Sequence, residues 1–344
     1  MQTMLSKRPA AASQNQVLPA SFDNGNGYDK VIVDTHEIRC PAYFHGVHGR
    51  LYDIPVSQQG GLVEYVSGRR EDLIGKAWLA GFPAYQKAPT AYFRTVDDKR
   101  GKLKYGLQMF LGCLATLPYR EQWQLHLVAS IQDAQAFGTD LTRVLSGMHT
   151  VRFNGNRKAS LIHITVDAVL EEGVGAIVMA QSELNADEQV LVYDFGHGTC
   201  IFSIFGEGGK LMERKVTSGG VEDLIDAIAT NLETRKHLAQ EGDRQIIRSG
   251  IEDKSFNYGR TGWNFRAIYQ AELVAWMQSV MAPVLRAAAP WTPTADTIIA
   301  VGGGSQLPMI HKLLTQKGIT PLTDGAWANA RGLYQLAASA LRRV

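Results

Sequence analysis

Apolar runs bounded by Gly, Pro, Asn and Asp recur along the chain and predict strands at 31–34, 62–67, 125–130, 160–168, 190–194, 200–205 and 297–301. Longer segments with apolar residues at helical spacing predict helices at 102–117, 138–146, 173–184, 220–238, 265–288, 306–317 and 326–343. Strands and helices alternate in groups, which is the pattern of an α/β chain whose sheets are covered by helices. A length of 344 residues exceeds one typical core and suits two lobes.

One feature repeats at long range. Asp23-Asn24-Gly25-Asn26-Gly27 follows an apolar stretch, and Asp194-Phe195-Gly196-His197-Gly198 follows a strand. Both begin with Asp, carry Gly two and four positions later, and lead into a second β-rich run. A turn of this kind brings backbone N–H groups close to phosphate oxygens with no Cβ in the way. Its leading carboxylate suits Mg²⁺, which takes one or two carboxylates and otherwise water and phosphate. Lys30 shares a strand face with Tyr28 and can point back to a phosphate. Either turn alone also reads as an ordinary hairpin; the matched pair is what points to a site. A third cluster, Gly302-Gly303-Gly304-Ser305, follows a strand and opens a helix. No G-x-x-x-x-G-K-[ST] run is present, and strands on both sides of the Asp-led turns exclude a dinucleotide fingerprint.

Composition narrows the field. With 45% hydrophobic and 20% charged residues the chain reads as globular. The 35 basic and 33 acidic residues nearly cancel, so direct nucleic-acid binding is not expected. Cys40, Cys113 and Cys200 lack metal or disulfide spacing, which fits a reducing cytoplasm. Residues 1–16 read as a flexible tail without a secretory h-region, and no apolar run nears the ~20 residues of a membrane span. His45-x-x-His48, with His36 nearby, lacks a carboxylate or cysteine partner for a metal. Tyr43, Phe44, Tyr52 and Tyr65 suit either one lobe's core or an exposed apolar edge between subunits, with core the preferred reading, and Trp276 with Met277 reads as core.

These motifs resemble those of the actin, heat-shock chaperone and sugar-kinase superfamily, from about Asp23 to Gly332. The first turn, through Lys30, looks like the phosphate-1 motif, Asp194 to Thr199 like phosphate-2, and Val301 to Ser305 like the adenosine motif. Glu172-Gly173-Val174-Gly175-Ala176 and Ala328-Asn329-Ala330-Arg331-Gly332 look like the two connecting helices of ParM-type plasmid-segregation actins. The resemblance implies two RNase-H-like lobes around a nucleotide cleft: lobe I at 17–172, rejoined by 326–344, and lobe II at 173–325. It implies ATP or GTP with Mg²⁺, ATPase activity, filaments of the protein itself and a DNA-binding adaptor for plasmid segregation. Asp23 and Asp194 would hold the metal's water shell. Asn24, Gly25, Asn26, Gly27 and Lys30 would hold phosphates from one side, and Gly196, His197, Gly198 and Thr199 from the other. Gly302, Gly303, Gly304 and Ser305 would take the nucleoside, with Gly219 and Gly220 nearby. Glu172 would orient the attacking water, with Glu171 one register away; both also suit a helix N-terminus. His197 and Ile201 stand where relatives carry other residues, and a titratable ring at 197 would make hydrolysis slow or pH-sensitive. A non-polymerising nucleotide switch and a small-molecule kinase are the alternatives on this fold.

Overall fold

A computed structural model describes residues 16–49, 51–98, 100–180 and 188–343. Most of the expected tail (residues 1–15) and residues 181–184 of one expected helix lie outside the described residues. The first sheet contains β1 (Val17–Asn24), β2 (Tyr28–Val33), β3 (His36–Pro41), β4 (Tyr43–Val47), β5 (Gly60–Gly68), β6 (Ala77–Gly81), β7 (Phe93–Arg94), β8 (Gln122–Ile131), β9 (Gly147–Phe153) and β10 (Ser160–Glu171). Their spatial order is β3-β2-β1-β8-β10-β9-β5-β6-β4-β7. The second sheet contains β11 (Val190–Phe195), β12 (Thr199–Gly206), β13 (Lys210–Ser218), β14 (Thr297–Val301) and β15 (Thr320–Pro321), in the order β13-β12-β11-β14-β15. The helices are α1 (Phe82–Lys87), α2 (Gly101–Leu114), α3 (Ala134–Leu145), α4 (Val174–Ala180), α5 (Val221–Thr230), α6 (Leu232–Leu238), α7 (Arg244–Glu252), α8 (Arg266–Trp276), α9 (Ala282–Ala288), α10 (Ile310–Gln316) and α11 (Gly325–Leu341).

The two sheets repeat one plan. β1 is antiparallel to β2, which is antiparallel to β3, while β1 runs parallel to β8 and β8 to β10. β11 relates to β12, β13, β14 and β15 in the same way. Each half is thus a three-stranded meander extended by two parallel strands, and the parallel strands need helical crossovers that cover the faces. On one face of the first sheet Phe22, Leu125 and Ile162 pack with Leu107 and Phe110 of α2 and Leu141 of α3. On the other face Val128 meets Leu333 and Ala337 of α11. In the second sheet Tyr193 and Phe202 pack with Leu224, Ile247, Trp276 and Ile310, while Val192 and Val301 face Ala176 and Ile177 of α4.

The halves are joined where α4 meets α11. A methyl group on Gly175 would lie 2.1 Å from the Asn329 carbonyl oxygen, and one on Gly332 would lie 1.8 Å from that of Gly175. Backbone meets backbone here, and only glycine fits at both positions.

Three expected helices are shorter or broken. Segment 220–238 divides at Asn231, whose ψ of 141° leaves the helix and whose side chain accepts from Glu233 N at 2.9 Å to cap α6. Segment 265–288 contains a π-helical stretch, Met277–Met281, just before Pro283, which has no N–H to give the preceding turn. In 306–317 the helix starts only at Ile310, because Met309 before it has φ 75°. Tyr43, Tyr65 and Trp276 are core as expected; Tyr52 is fully exposed and corrects that reading.

Candidate functional site

The two Asp-led turns become β-hairpins with one register. In β1/β2 Asp23 pairs with Lys30 and Asn24 with Asp29; in β11/β12 Asp194 pairs with Ile201 and Phe195 with Cys200. The tips meet: a methyl on Gly27 would lie 2.5 Å from His197 Cγ, and one on Gly198 would lie 3.5 Å from Asn26 Nδ2. Below them is an open cleft lined by both hairpins. Asp23, Gly25, Asn26, Gly27 and Lys30 line one wall, and Asp194, Gly196, His197 and Thr199 the other, with Glu172, Gly302 and Gly303 completing it.

The remaining candidates lie off the cleft wall. Strand alternation turns Asn24 toward α2, where its Nδ2 donates to the Lys102 carbonyl at 3.0 Å. Glu171 turns away from Glu172 and accepts from Ala134 N at 2.7 Å and Arg214 Nη1 at 2.6 Å, so it serves the α3 N-terminus. Gly198 packs on Val96 and Asn26, and Gly304 on Phe195. Ser305 is buried, donating to the Gly302 carbonyl at 2.8 Å. Gly219 abuts Val280, and Gly220 abuts the His197 carbonyl. The α5 N-terminus, which starts at Val221, takes up hairpin-two carbonyls: Val221 N donates to Gly196 O at 3.1 Å and Glu222 N to His197 O at 2.9 Å. Those residues support the hairpin from below.

The two carboxylates differ. Asp23 is buried and accepts from Lys30 Nζ at 2.8 Å, Asn329 Nδ2 at 2.9 Å and Ser130 Oγ at 3.3 Å. Burial alone would raise its pKa; the charge and hydrogen bond of Lys30, with help from Asn329, outweigh burial and hold it below the usual value. Lys30 is therefore an ion-pair partner as well as a wall residue. Asp194 faces the aliphatic Ile201 across the hairpin. Burial, then the nearby charges of Glu172 and Asp23, push its carboxyl up to about 6.

His197 is not the titrating group its residue type suggested. Its Nε2 lies 2.6 Å from Glu222 Oε2 and 2.6 Å from Arg248 Nη2, which is also 3.0 Å from its Nδ1. Burial and then Arg248 push the ring down to about 4, so it stays neutral near pH 7. Glu222, pulled down to about 2 against burial by His197 and Arg94, also pairs with Arg94.

Three further wall residues carry the architecture. Asn329 Oδ1 accepts from Gly173 N at 3.2 Å and Gly175 N at 3.1 Å, while its Nδ2 reaches Asp23 and Ser130, so one side chain ties α4, α11 and hairpin one. Lys102, 4% exposed, pairs with Glu172. Arg248 donates to the Gly27 carbonyl at 3.2 Å as well as to His197. The helix bearing Arg248, α7, was missed because its apolar residues are few; Asp243, accepting from Gln245 N and Ile246 N, was the available cap signal. Asn329 stood inside a recognised motif, but no local pattern shows that its amide bridges two lobes.

Two like-built halves, joined by crossing helices and closed over a cleft by glycine hairpins, define the actin-like ATPase fold. Residues 21–175 match the family model described as the N-terminal domain of actin-like proteins. It is similar in structure to Bacillus thuringiensis ParM with ATP (TM-score 0.68, 20% identity, covering 95% of this chain and 99% of that one). It is also similar to an archaeal actin homologue (TM-score 0.71, 15% identity, 94% and 100% covered) and to the Alp12 filament structure (TM-score 0.63, 15%, 94% and 99%). No curated protein sequence matches the chain.

Proposed function

We propose that this protein is a filament-forming actin-like ATPase that binds ATP or GTP with Mg²⁺ in the cleft. The observation that carries this reading is the pair of register-matched Asp-Gly hairpins meeting tip to tip above a cleft with a third glycine turn on its wall. Backbone N–H groups of Asn26 and Gly27 on one side and of His197 and Thr199 on the other would bind the phosphates, since those of Gly25 and Gly196 are donated within their own turns. Gly302 and Gly303 would leave room for the nucleoside beside Val221, Ile225 and Leu307. Positioning and charge stabilisation of this kind are most of what phosphoryl transfer needs.

The donor set fits Mg²⁺. Asp194 lines the cleft with no hydrogen-bond partner among the described residues, and its raised pKa marks a carboxylate short of positive charge. No group of three His, Cys, Asp or Glu able to hold a metal occurs among the described residues, so phosphate and water would complete the shell. Bound Mg²⁺ would neutralise phosphate charge. Asp194 would hold it, with Asp23, already paired to Lys30, more distant in role. Glu172, in the cleft wall, would orient the attacking water.

Among the structural neighbours, ParM with ATP and the Alp12 filament support nucleotide binding and self-assembly. Asn329-Ala330-Arg331-Gly332 and the near-neutral charge favour ParM-type plasmid segregation through a DNA-binding adaptor. No helix among the described residues is long and apolar enough to cross a membrane, and we place the work in the cytoplasm. Sedimentation and light scattering at micromolar protein test the reading: assembly with ATP and Mg²⁺ that ADP does not sustain is expected. Glu172→Ala should keep nucleotide binding and prolong the polymer. Nucleotide binding without assembly would replace the filament with a nucleotide switch, and no binding at all would remove both.

A further inference from the structure

Lys102 has a setting that the proposed chemistry leaves unused. It lies in the first turn of α2, yet its side chain is 4% exposed and reaches the cleft wall shared by Asp23, Lys30, Glu172 and Asp194. Its backbone is fixed from below, since Asn24 Nδ2 donates to its carbonyl at 3.0 Å. Its ammonium is paired with Glu172. A buried lysine normally needs a permanent counter-ion. Here the counter-ion is the carboxylate proposed to orient water, which a neighbouring ammonium would keep engaged. Below the same turn lies Asp29, fully buried on the face of β2 that carries Asn24's partner position, with neither carboxyl oxygen hydrogen-bonded.

We propose that Lys102 is a sensor of the terminal phosphate: it rests on Glu172 in the empty cleft, transfers to the γ-phosphate of a bound nucleoside triphosphate, and so frees Glu172 to orient water. This rests on the nucleotide reading above. The exchange is electrostatically coherent. A triphosphate brings anionic oxygens between the hairpins, beside a lysine whose stem is already ordered, and the ammonium exchanges one anion for another without entering water. A diphosphate lacks the terminal group and leaves the Lys102–Glu172 pair closed. Lys30 does not do the same, because its partner Asp23 is also held by Asn329 and Ser130 and has no water to position. Asp29 stays behind Lys102 as a buried carboxyl whose pKa burial pushes well up.

Titration of fluorescent ATP and ADP analogues with Mg²⁺ tests this. Lys102→Met should weaken the triphosphate at least tenfold and the diphosphate less than threefold. Glu172→Gln, which releases Lys102 in advance, should tighten the triphosphate severalfold, and this gain should vanish in the Lys102→Met background. Equal losses for both nucleotides, or a Glu172→Gln gain that survives without Lys102, would overturn the sensor and leave Lys102 a structural lysine. If Lys102→Met does not fold, Lys102→Gln, similar in reach and uncharged, carries the same comparison. Failure of the wild-type protein to bind either nucleotide would overturn the functional reading itself, a different result from unchanged selectivity.

Discussion

Hairpin one and hairpin two share a backbone plan and differ in charge. In each, an Asp two residues before a Gly faces the residue seven positions later on the returning strand. In hairpin one that residue is Lys30, and Asp23 is held below its usual pKa against the pull of burial. In hairpin two it is Ile201, and Asp194 is pushed up to about 6. Duplicated geometry therefore gives two carboxylates at one cleft, and the cross-strand partner decides which one is paired with an ammonium and which is not. The tips differ too. Hairpin one ends in Gly27, whose carbonyl Arg248 holds; hairpin two carries His197, clamped between Arg248 and Glu222.

The largest test of this contrast is Lys30→Met. It leaves Asp23 buried without its ammonium and should cost roughly 3 kcal/mol of stability in nucleotide-free denaturant unfolding. A loss below about 1 kcal/mol would show that Asn329 and Ser130 suffice. Next, Asp194→Asn should leave nucleotide-free stability at pH 7 unchanged or raised, while Mg²⁺-dependent nucleotide affinity falls at least about tenfold, the scale of a lost ionic ligand. Equal affinity with and without the carboxylate would end the assignment of the cation to hairpin two. Ile201→Lys would convert hairpin two to the charge pattern of hairpin one: binding should lose most of its Mg²⁺ dependence, read by titration with and without a chelator.

The smallest effect is on pH dependence, measured without metal or nucleotide. Asp194, raised from 3.8 to about 6, contributes stability that is full below 3.8 and lost as pH rises through 6. His197, lowered from 6.5 to about 4, contributes stability that is full above 6.5 and lost as pH falls through 4. The two oppose each other over the same interval. Asp194→Asn should therefore make stability between pH 4 and 6.5 rise more steeply with pH, and His197→Gln less steeply. Slopes that move together would refute the opposed environments.

The strand-turn-strand pattern, the third glycine turn and all seven sequence-read strands were legible because each rests on local alternation and turn chemistry. The glycines of the connecting helices were legible as motif letters; that Gly175 and Gly332 let two backbones touch was not. Glu171 and Glu172 are adjacent, and sequence spacing left both open. The structure separates them because successive side chains in an extended chain leave on opposite sides, and only the surrounding elements determine which side is the cleft. Asn24, Gly198, Gly220 and Gly304 sit next to wall residues in sequence, and Gly219 and Ser305 one position further, yet all six lie off the wall because the surrounding elements decide which way each residue faces.

What the sequence determined by itself is the kind of cleft: two Asp-led glycine bends, an α/β frame to hold them, and residue types suited to phosphate. What only the tertiary structure decided is the state of each group. Whether His197 can take a proton, whether Asp194 has a counter-ion, and what Lys102 and Asn329 touch all depend on partners tens to hundreds of positions away. Turn conformation follows from neighbouring residues, whereas charge and desolvation follow from whatever the fold brings within a few ångströms.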